Sequence, residues 1–275
     1  MVDFLVIIQS PYFLRSVLAI ILIALNAAMA GSFTVFRDIS FLVAGTSHAA
    51  LAGAAFAIVL SVYGVISWFG PLYGAILFAV LTAVAAGYAS RKGDKEQINT
   101  TIGIAFAMSM SLAVLFISLI REYASQAWGL LLGDLLLLTD SDIILLSVVT
   151  LIIVIIMILF YREFIFISFD IEGAVAYGIR AEFFNYLMLI LISVSVVVIL
   201  KGVGAILVFA MLVAPAAAAN RLVATANRVI IVAFILAITS GFIGLLISFY
   251  ISISAGALAA LIATCTYFIV ILIKR

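Results

Sequence analysis

Charged residues are scarce in this chain: Asp, Glu, Lys and Arg make up 9% of its 275 residues, whereas about 25% is usual in soluble domains. The net charge is only +1, so no basic surface of the kind that binds nucleic acid is expected. The single cysteine, Cys265, excludes an intrachain disulfide. The sequence also lacks a Gly-x-x-x-x-Gly-Lys-Ser/Thr phosphate loop, a His-Glu-x-x-His pair and any Cys/His cluster. Neither a phosphate-loop nucleotide site nor a permanently bound metal cofactor is therefore expected.

Hydrophobic residues, by contrast, make up 68% of the chain, and the mean hydropathy is +1.48. A bilayer core of about 30 Å needs about 20 apolar residues per helix. The apolar runs are continuous, whereas a transmembrane strand would alternate, so the sequence predicts an all-α polytopic membrane protein. We expect one transmembrane domain over residues 1–275 in the cell (plasma or inner) membrane, with about nine (eight to ten) transmembrane helices. The predicted segments are 12–36, 41–63, 71–90, 98–120, 143–160, 183–200, 203–219, 229–250 and 255–273.

Basic residues predict the orientation, because Lys and Arg are retained in cytoplasmic loops. In a nine-helix arrangement they fall in alternate connections, so the N-terminus is expected outside and the C-terminus inside. Arg15, Arg121 and Lys201 are exceptions on the opposite face. The residues that define the cytoplasmic face are Arg37, Arg91, Lys92, Lys95, Arg162, Arg180, Arg221, Arg228, Lys274 and Arg275.

Pro215 lies inside the predicted helix 203–219. A proline there removes a backbone hydrogen bond and leaves the carbonyl of Met211 without its usual donor, so we expect a kink. The kink serves either helix packing or transport, and proline is tolerated in membrane helices for both purposes.

The connection 161–180 is neither a tight turn nor a polar linker. Ile171, Ala174, Val175 and Ile179 are spaced to share one face of a short helix. Asp170 is expected as its N-cap and Gly178 near its end. Such a helix either docks into a groove on a partner or rests on lipid headgroups, and the scarcity of basic residues favours docking.

Five sequence elements, in order along the chain, carry a family resemblance: "SHAALAG" (47–53), "TTIGIAFA" (100–107), "LLGDLL" (131–136), "SFDIEGAVAYGI" (168–179) and "VGAILVFAMLVAPAAAA" (203–219). With these elements the chain resembles the membrane permeases of zinc and manganese ATP-binding-cassette importers. Those permeases are related to the ones for iron-siderophores and cobalamin. The resemblance covers nearly the entire chain.

The resemblance implies the fold of cobalamin- and siderophore-importer permeases and a transport cycle of alternating access. It implies two copies of this permease in membrane lipid, two cytoplasmic ATPase subunits and an extracellular or periplasmic metal-binding protein. ATP hydrolysis would then occur in a partner chain, so this chain is not expected to be an enzyme. The implied ATPase-coupling residues are Ser168, Phe169, Asp170, Glu172, Ala174 and Gly178.

His48 is the candidate metal ligand, because polar groups inside a membrane commonly line a pathway and imidazole suits zinc, manganese or iron. The family usually has an aspartate four residues before this histidine, and here Ala44 replaces it. Asp134 is the first candidate for the missing charge, although Glu122, Asp140 and Asp142 share its predicted face. Asn26 is either a neutral oxygen ligand or the donor of an interhelical hydrogen bond.

Three functions remain open from the sequence. The first is a permease for a divalent transition metal ion, and the second is a permease for an iron or cobalt chelate, which would need no metal ligand. The third is an intramembrane enzyme built on Ser47 and His48. Adjacent helical residues point about 100° apart, and no third residue presents itself to orient the histidine, so the sequence favours the first two.

Overall fold

The computed structural model describes residues 11–66, 68–89, 95–120, 133–251 and 253–274, and these ranges contain helices, turns and no strand. Eight of the described helices are 19 to 26 residues long and apolar enough to cross a membrane. This confirms the predicted all-α polytopic membrane fold. The helices are α1 (Pro11–Phe36), α2 (Phe41–Val62), α3 (Pro71–Ala89), α4 (Lys95–Leu119), α5 (Asp140–Leu159), α6 (Tyr161–Phe169), α7 (Ile171–Ala176), α8 (Ala181–Val203), α9 (Val208–Leu222), α10 (Ala226–Ile251) and α11 (Ala255–Ile273).

All nine predicted segments contain a helix, but the seventh begins later than expected. Its predicted start at residue 203 is wrong, because α8 continues to Val203 and Gly204 then takes a φ of 89°. Only after the turn at 205–207 does α9 begin, and it has 15 residues. The predicted residues Arg91, Lys92, Arg121, Glu122 and Arg275, and the start of "LLGDLL", lie outside the described residues.

The chain divides into two compact units. The first comprises 1–32, 132–155 and 198–275, and the second comprises 33–131 and 156–197. The prediction of a single domain over 1–275 stays a prediction.

Small residues allow close helix packing in the first unit. Gly244 of α10 lies so close to the backbone of Ala259 in α11 that a Cβ would meet it. In α1 a π-helical turn, Ala27–Gly31, interrupts the α-helix, and a Cβ at Gly31 would collide with the carbonyl of Leu212 in α9. Glycine therefore fixes the approach of α1 to the proline-containing helix α9.

The second unit contains α2, α3 and α4, together with α6, α7 and most of α8. Helix α2 is its most enclosed long helix, and Gly53 of α2 meets Gly74 of α3 at backbone contact distance. The buried side of α6 makes aromatic contacts. Phe164 of α6 and Phe33 at the end of α1 are both fully buried, and their ring centroids are 5.8 Å apart. Helix α2 thus carries His48 within a closely packed group of helices.

Candidate functional site

His48 lies on a partly exposed strip of α2. Phe41, Ala44 and His48 are exposed or half-buried, whereas the residues between them are buried. Their spacing of three and four residues places them on one helical face. The side chains at positions 44 and 48 therefore share a surface, as the sequence predicts.

The imidazole of His48 is held by an aromatic contact rather than by a hydrogen bond. Its ring packs edge-on against Phe106 of α4, with centroids 4.8 Å apart and an interplanar angle of 89°. Its Nδ1 is buried and has no hydrogen-bond partner among the described residues. Leaving a buried nitrogen unsatisfied is costly, so the ring is suited to binding a ligand.

Ser47 is fully buried and donates its hydroxyl hydrogen to the carbonyl oxygen of Ala44, 2.9 Å away. The hydroxyl is thus used within its own helix. This bond gives no support to a serine nucleophile activated by His48.

Asp134 and Asn26, the other candidate ligands, make structural hydrogen bonds in the first unit, whereas His48 lies in the second. Asp134 Oδ1 accepts from the backbone N–H of Leu136 at 2.9 Å and caps the 3₁₀ turn Leu135–Leu137. Asn26 is fully buried and donates to Leu22 O at 2.9 Å and Thr150 Oγ1 at 2.7 Å. Their metal-ligand roles stay predictions.

Across the part of the chain that the structure describes, no group of three or more His, Cys, Asp or Glu side chains could hold a metal ion. Among the described residues, His48 is therefore not part of a closed cluster of three or more such ligands. The described residues thus show no closed structural metal site of the three- or four-ligand type.

Asp140 and Asp142, the alternative acids, are ion-paired at the start of α5. Asp140 pairs with Arg15 of α1, and Asp142 pairs with Lys201 of α8 at 2.6 Å. These pairs were not predicted, although both bases were exceptions on the same predicted face as the two acids. Both charges are thereby balanced locally.

Pro215 is buried inside α9, one helical turn beyond Met211. The carbonyl of Leu212, next to Met211, meets the π-helical turn of α1 at Gly31. A conformational role for the proline in transport stays a prediction.

The segment 161–180 forms two short helices rather than one. Asp170 caps α7, its Oδ1 accepting from the N–H of Gly173 at 2.8 Å, and Gly178 follows with a φ of 80°. The predicted apolar face is divided: Val175 is 60% exposed, but Ala174 is fully buried. Because Ala174 faces the interior, the outward surface is formed instead by Phe169, Ile171, Val175 and Tyr177.

Arg37 is a functional candidate that the sequence indicated only as a cytoplasmic marker. Its side chain is buried and donates to Ile167 O at 2.7 Å and to Asn185 Oδ1 at 2.8 Å. Desolvation by burial lowers the pKa of Arg37 from its usual value. The sequence pattern around Arg37 did not indicate that the side chain would be buried.

Comparison with known proteins gives consistent matches over nearly the whole length. The model of the ABC 3 transport family matches residues 9–274. A manganese transport system membrane protein, MntC, of Listeria monocytogenes is 29% identical, covering 96% of this chain and 91% of the relative. A manganese import system permease protein, ScaB, of Streptococcus gordonii is 28% identical, covering 94% of this chain and 91% of the relative. The structure of PsaBC from Streptococcus pneumoniae in complex with Fab matches with a TM-score of 0.82 and 25% identity, covering 97% of this chain and 93% of that chain.

Proposed function

The chain belongs to the ABC 3 transport family, and we propose that it is the permease subunit of an importer for a divalent transition metal ion. Manganese is the first candidate, with zinc and iron as the others. The ion crosses the plasma membrane by alternating access, and a separate ATPase subunit supplies the energy. Metal is thus the substrate of this chain, with His48 as its contact.

The environment of His48 carries this proposal. Its buried Nδ1 has no hydrogen-bond partner among the described residues, and its ring is fixed by Phe106. A neutral imidazole is the side chain most often used to bind transition metals near neutral pH. The manganese transport named for MntC and ScaB supports the same class of substrate.

Membership of this family also supports a proposal for the partner proteins. We propose that two copies of this permease bind two ATPase subunits on the cytoplasmic side and a metal-binding protein on the outer side. The ATPase docks on α7 and the residue that follows it: Val175 is 60% exposed and Tyr177 is 82% exposed. A short helix with outward apolar side chains fits a groove on a partner protein. Asp170 and Gly178 hold that helix in place through a side-chain cap and a left-handed backbone residue.

Reconstitution of the permease with its ATPase and binding protein in liposomes tests the proposal. Uptake of Mn²⁺, Zn²⁺, Fe²⁺ and Co²⁺ is compared with uptake of a ferric siderophore and a corrinoid. His48→Ala should abolish or sharply reduce ion uptake while assembly and basal ATP hydrolysis persist. Ser47→Ala is the matched control, since that hydroxyl bonds only to its own helix among the bonds observed. Ion uptake at the wild-type rate by His48→Ala, or uptake of a chelate alone, would contradict the proposal.

A further inference from the structure

Arg37 occupies the short loop between α1 and α2. Only 8% of the residue is exposed, although arginine is rarely buried so deeply unless its hydrogen bonds are satisfied. The loop turns sharply next to it, because Asp38 adopts a φ of 57°. Four residues after Arg37, α2 begins at Phe41, and this helix carries His48. The position of Arg37 is therefore linked through a short backbone path to the start of the helix with the candidate metal ligand.

One hydrogen bond of Arg37 fixes the end of α6. Its Nη1 donates to the carbonyl oxygen of Ile167 at 2.7 Å. Ile167 lies in the last turn of α6, where carbonyl groups have no donor within the helix. A guanidinium at a helix C-terminus also interacts favourably with the helix dipole. Arg37 thus holds the helix end directly before the capping residue Asp170 and α7.

The second hydrogen bond reaches α8. Nη2 of Arg37 donates to Oδ1 of Asn185 at 2.8 Å, and Asn185 lies near the start of α8. The fixed fork of the guanidinium allows one side chain to bind two acceptors on different helices. The loop before α2, the end of α6 and the start of α8, all in the second unit, are therefore tied together at one point.

Aromatic packing surrounds this point on the α6 side. Two phenylalanines at the end of α1 take part. The ring of Phe33 lies 5.8 Å from that of Phe164, and the ring of Phe36 lies 5.7 Å from that of Phe169, measured between centroids. These contacts also pack α6 against the end of α1. A buried cation adds a desolvation cost that an apolar residue of similar size would not, and such groups are retained in some proteins to specify one arrangement.

Building on the proposed function, we propose that Arg37 is a positioning residue that couples the ATPase-docking segment to α2. Movement of α6 and α7 on nucleotide binding is transmitted through the Ile167 carbonyl and the guanidinium to the loop before α2. Asn185 keeps the guanidinium aligned while this happens. Without Arg37 the ATPase still docks and hydrolyses ATP, but nucleotide binding no longer moves the face of α2 that carries His48.

The test uses the assembled complex with Cys265 replaced by serine and Ala44→Cys introduced as a reporter on α2. Thiol accessibility at position 44 is measured without metal, before and after trapping with ATP and vanadate. Mn²⁺ uptake per ATP hydrolysed is measured separately in complexes that retain Ala44. Arg37→Met should remove the nucleotide-dependent change in accessibility and lower Mn²⁺ transported per ATP about five- to tenfold. Arg162→Met, on the exposed side of α6, removes the same charge and should behave as wild type.

Two variants of the acceptor keep the test decisive if Arg37→Met does not assemble. Asn185→Leu should uncouple ATP hydrolysis from the response of α2, whereas Asn185→Asp, which keeps an acceptor for the guanidinium, should preserve coupling. A wild-type accessibility response in either Arg37→Met or Asn185→Leu would overturn the inference. Absence of Mn²⁺ uptake by the wild-type complex, with the nucleotide response intact and dependent on Arg37, would instead count against manganese as substrate and leave the coupling role standing.

Discussion

Position 44 determines how much negative charge can stand beside His48. Ala44 lies one helical turn before the histidine on the same partly exposed face of α2. A divalent cation in a low-dielectric setting needs charge compensation, which an imidazole does not give. If His48 contacts the ion as proposed, Ala44 is expected to favour weak binding and rapid release.

Ala44→Asp should tighten binding of Mn²⁺ and Zn²⁺ because it adds a charged ligand within reach of the same ion. We expect a gain of about tenfold or more, and slower release, measured by calorimetry and by efflux from loaded vesicles. Ala44→Asn is the matched control: it has the same size and no charge, so its gain should be much smaller. The gain should vanish in Ala44→Asp combined with His48→Ala, since both side chains act on one ion. Equal gains with and without His48 would show that the two positions do not share an ion.

The break between α8 and α9 depends on two glycines that meet. Gly133 has a φ of 60° and Gly204 a φ of 89°, and a Cβ on Gly133 would collide with the backbone nitrogen of Gly204. Asp134, directly after Gly133, caps the following 3₁₀ turn. The glycine in "LLGDLL" is thus needed for backbone approach, and the aspartate for a local cap.

Gly133→Ala should destabilise the protein, because a left-handed backbone at a residue other than glycine costs about 1 to 3 kcal/mol and the new Cβ also clashes. The measurement is thermal unfolding in detergent. Gly103→Ala is the control, since a Cβ there meets no described atom within 4 Å and alanine is the better helix former. Its unfolding temperature should equal or exceed the wild-type value. A Gly133→Ala protein as stable as wild type would mean that the two backbones do not meet in the native state.

Val175 of α7 and Tyr177 directly after the helix are exposed while Ala174 is buried, so the docking surface is best tested at Val175. Val175→Asp should weaken binding of the ATPase about tenfold or more, since a charge is placed in an apolar contact. Binding is measured by co-purification and by titration of the ATPase. Val65→Asp is the control: Val65 is 65% exposed and follows α2 on the opposite predicted face. Equal effects of the two substitutions would argue against docking at α7.

The eight long helices were predictable from the sequence because each is a long apolar run, and the cap at Asp170 was predictable because capping is local. The burial of Ala174 was not, since a six-residue helix has no amphipathic period long enough to indicate its inner side. The partners of Arg37 were also hidden, because Ile167 offers a backbone carbonyl and Asn185 is distant in sequence. Interactions within a few residues could be predicted from the sequence, whereas contacts between distant segments could be identified only from the three-dimensional structure.

For the whole molecule, the distribution of basic residues between the two faces bears on orientation. Arg15 and Lys201, two of the three bases that oppose the predicted orientation, are paired with Asp140 and Asp142. A base paired with an acid is locally neutral in the folded protein. The pairs show how these two bases are held, but they remain exceptions, since orientation follows the number of Lys and Arg near the helix ends and not the net charge. The larger number of basic residues in the other connections still indicates a cytoplasmic C-terminus.

The number of crossings depends on α9, whose 15 residues span about 22 Å at 1.5 Å per residue. This is shorter than a bilayer core of about 30 Å, although a short hydrophobic helix can span a bilayer that thins locally around it. We expect nine crossings, so cysteines replacing Tyr177 and Ala224 should react with an impermeant thiol reagent only from the cytoplasmic side. A cysteine replacing Val65 should react only from outside, with Cys265 replaced by serine in every case. If α9 does not cross, Ala224→Cys becomes accessible from outside while the other two positions keep their sides. Labelling of Tyr177→Cys from outside would overturn the orientation itself, and with it the docking of an ATPase on α7.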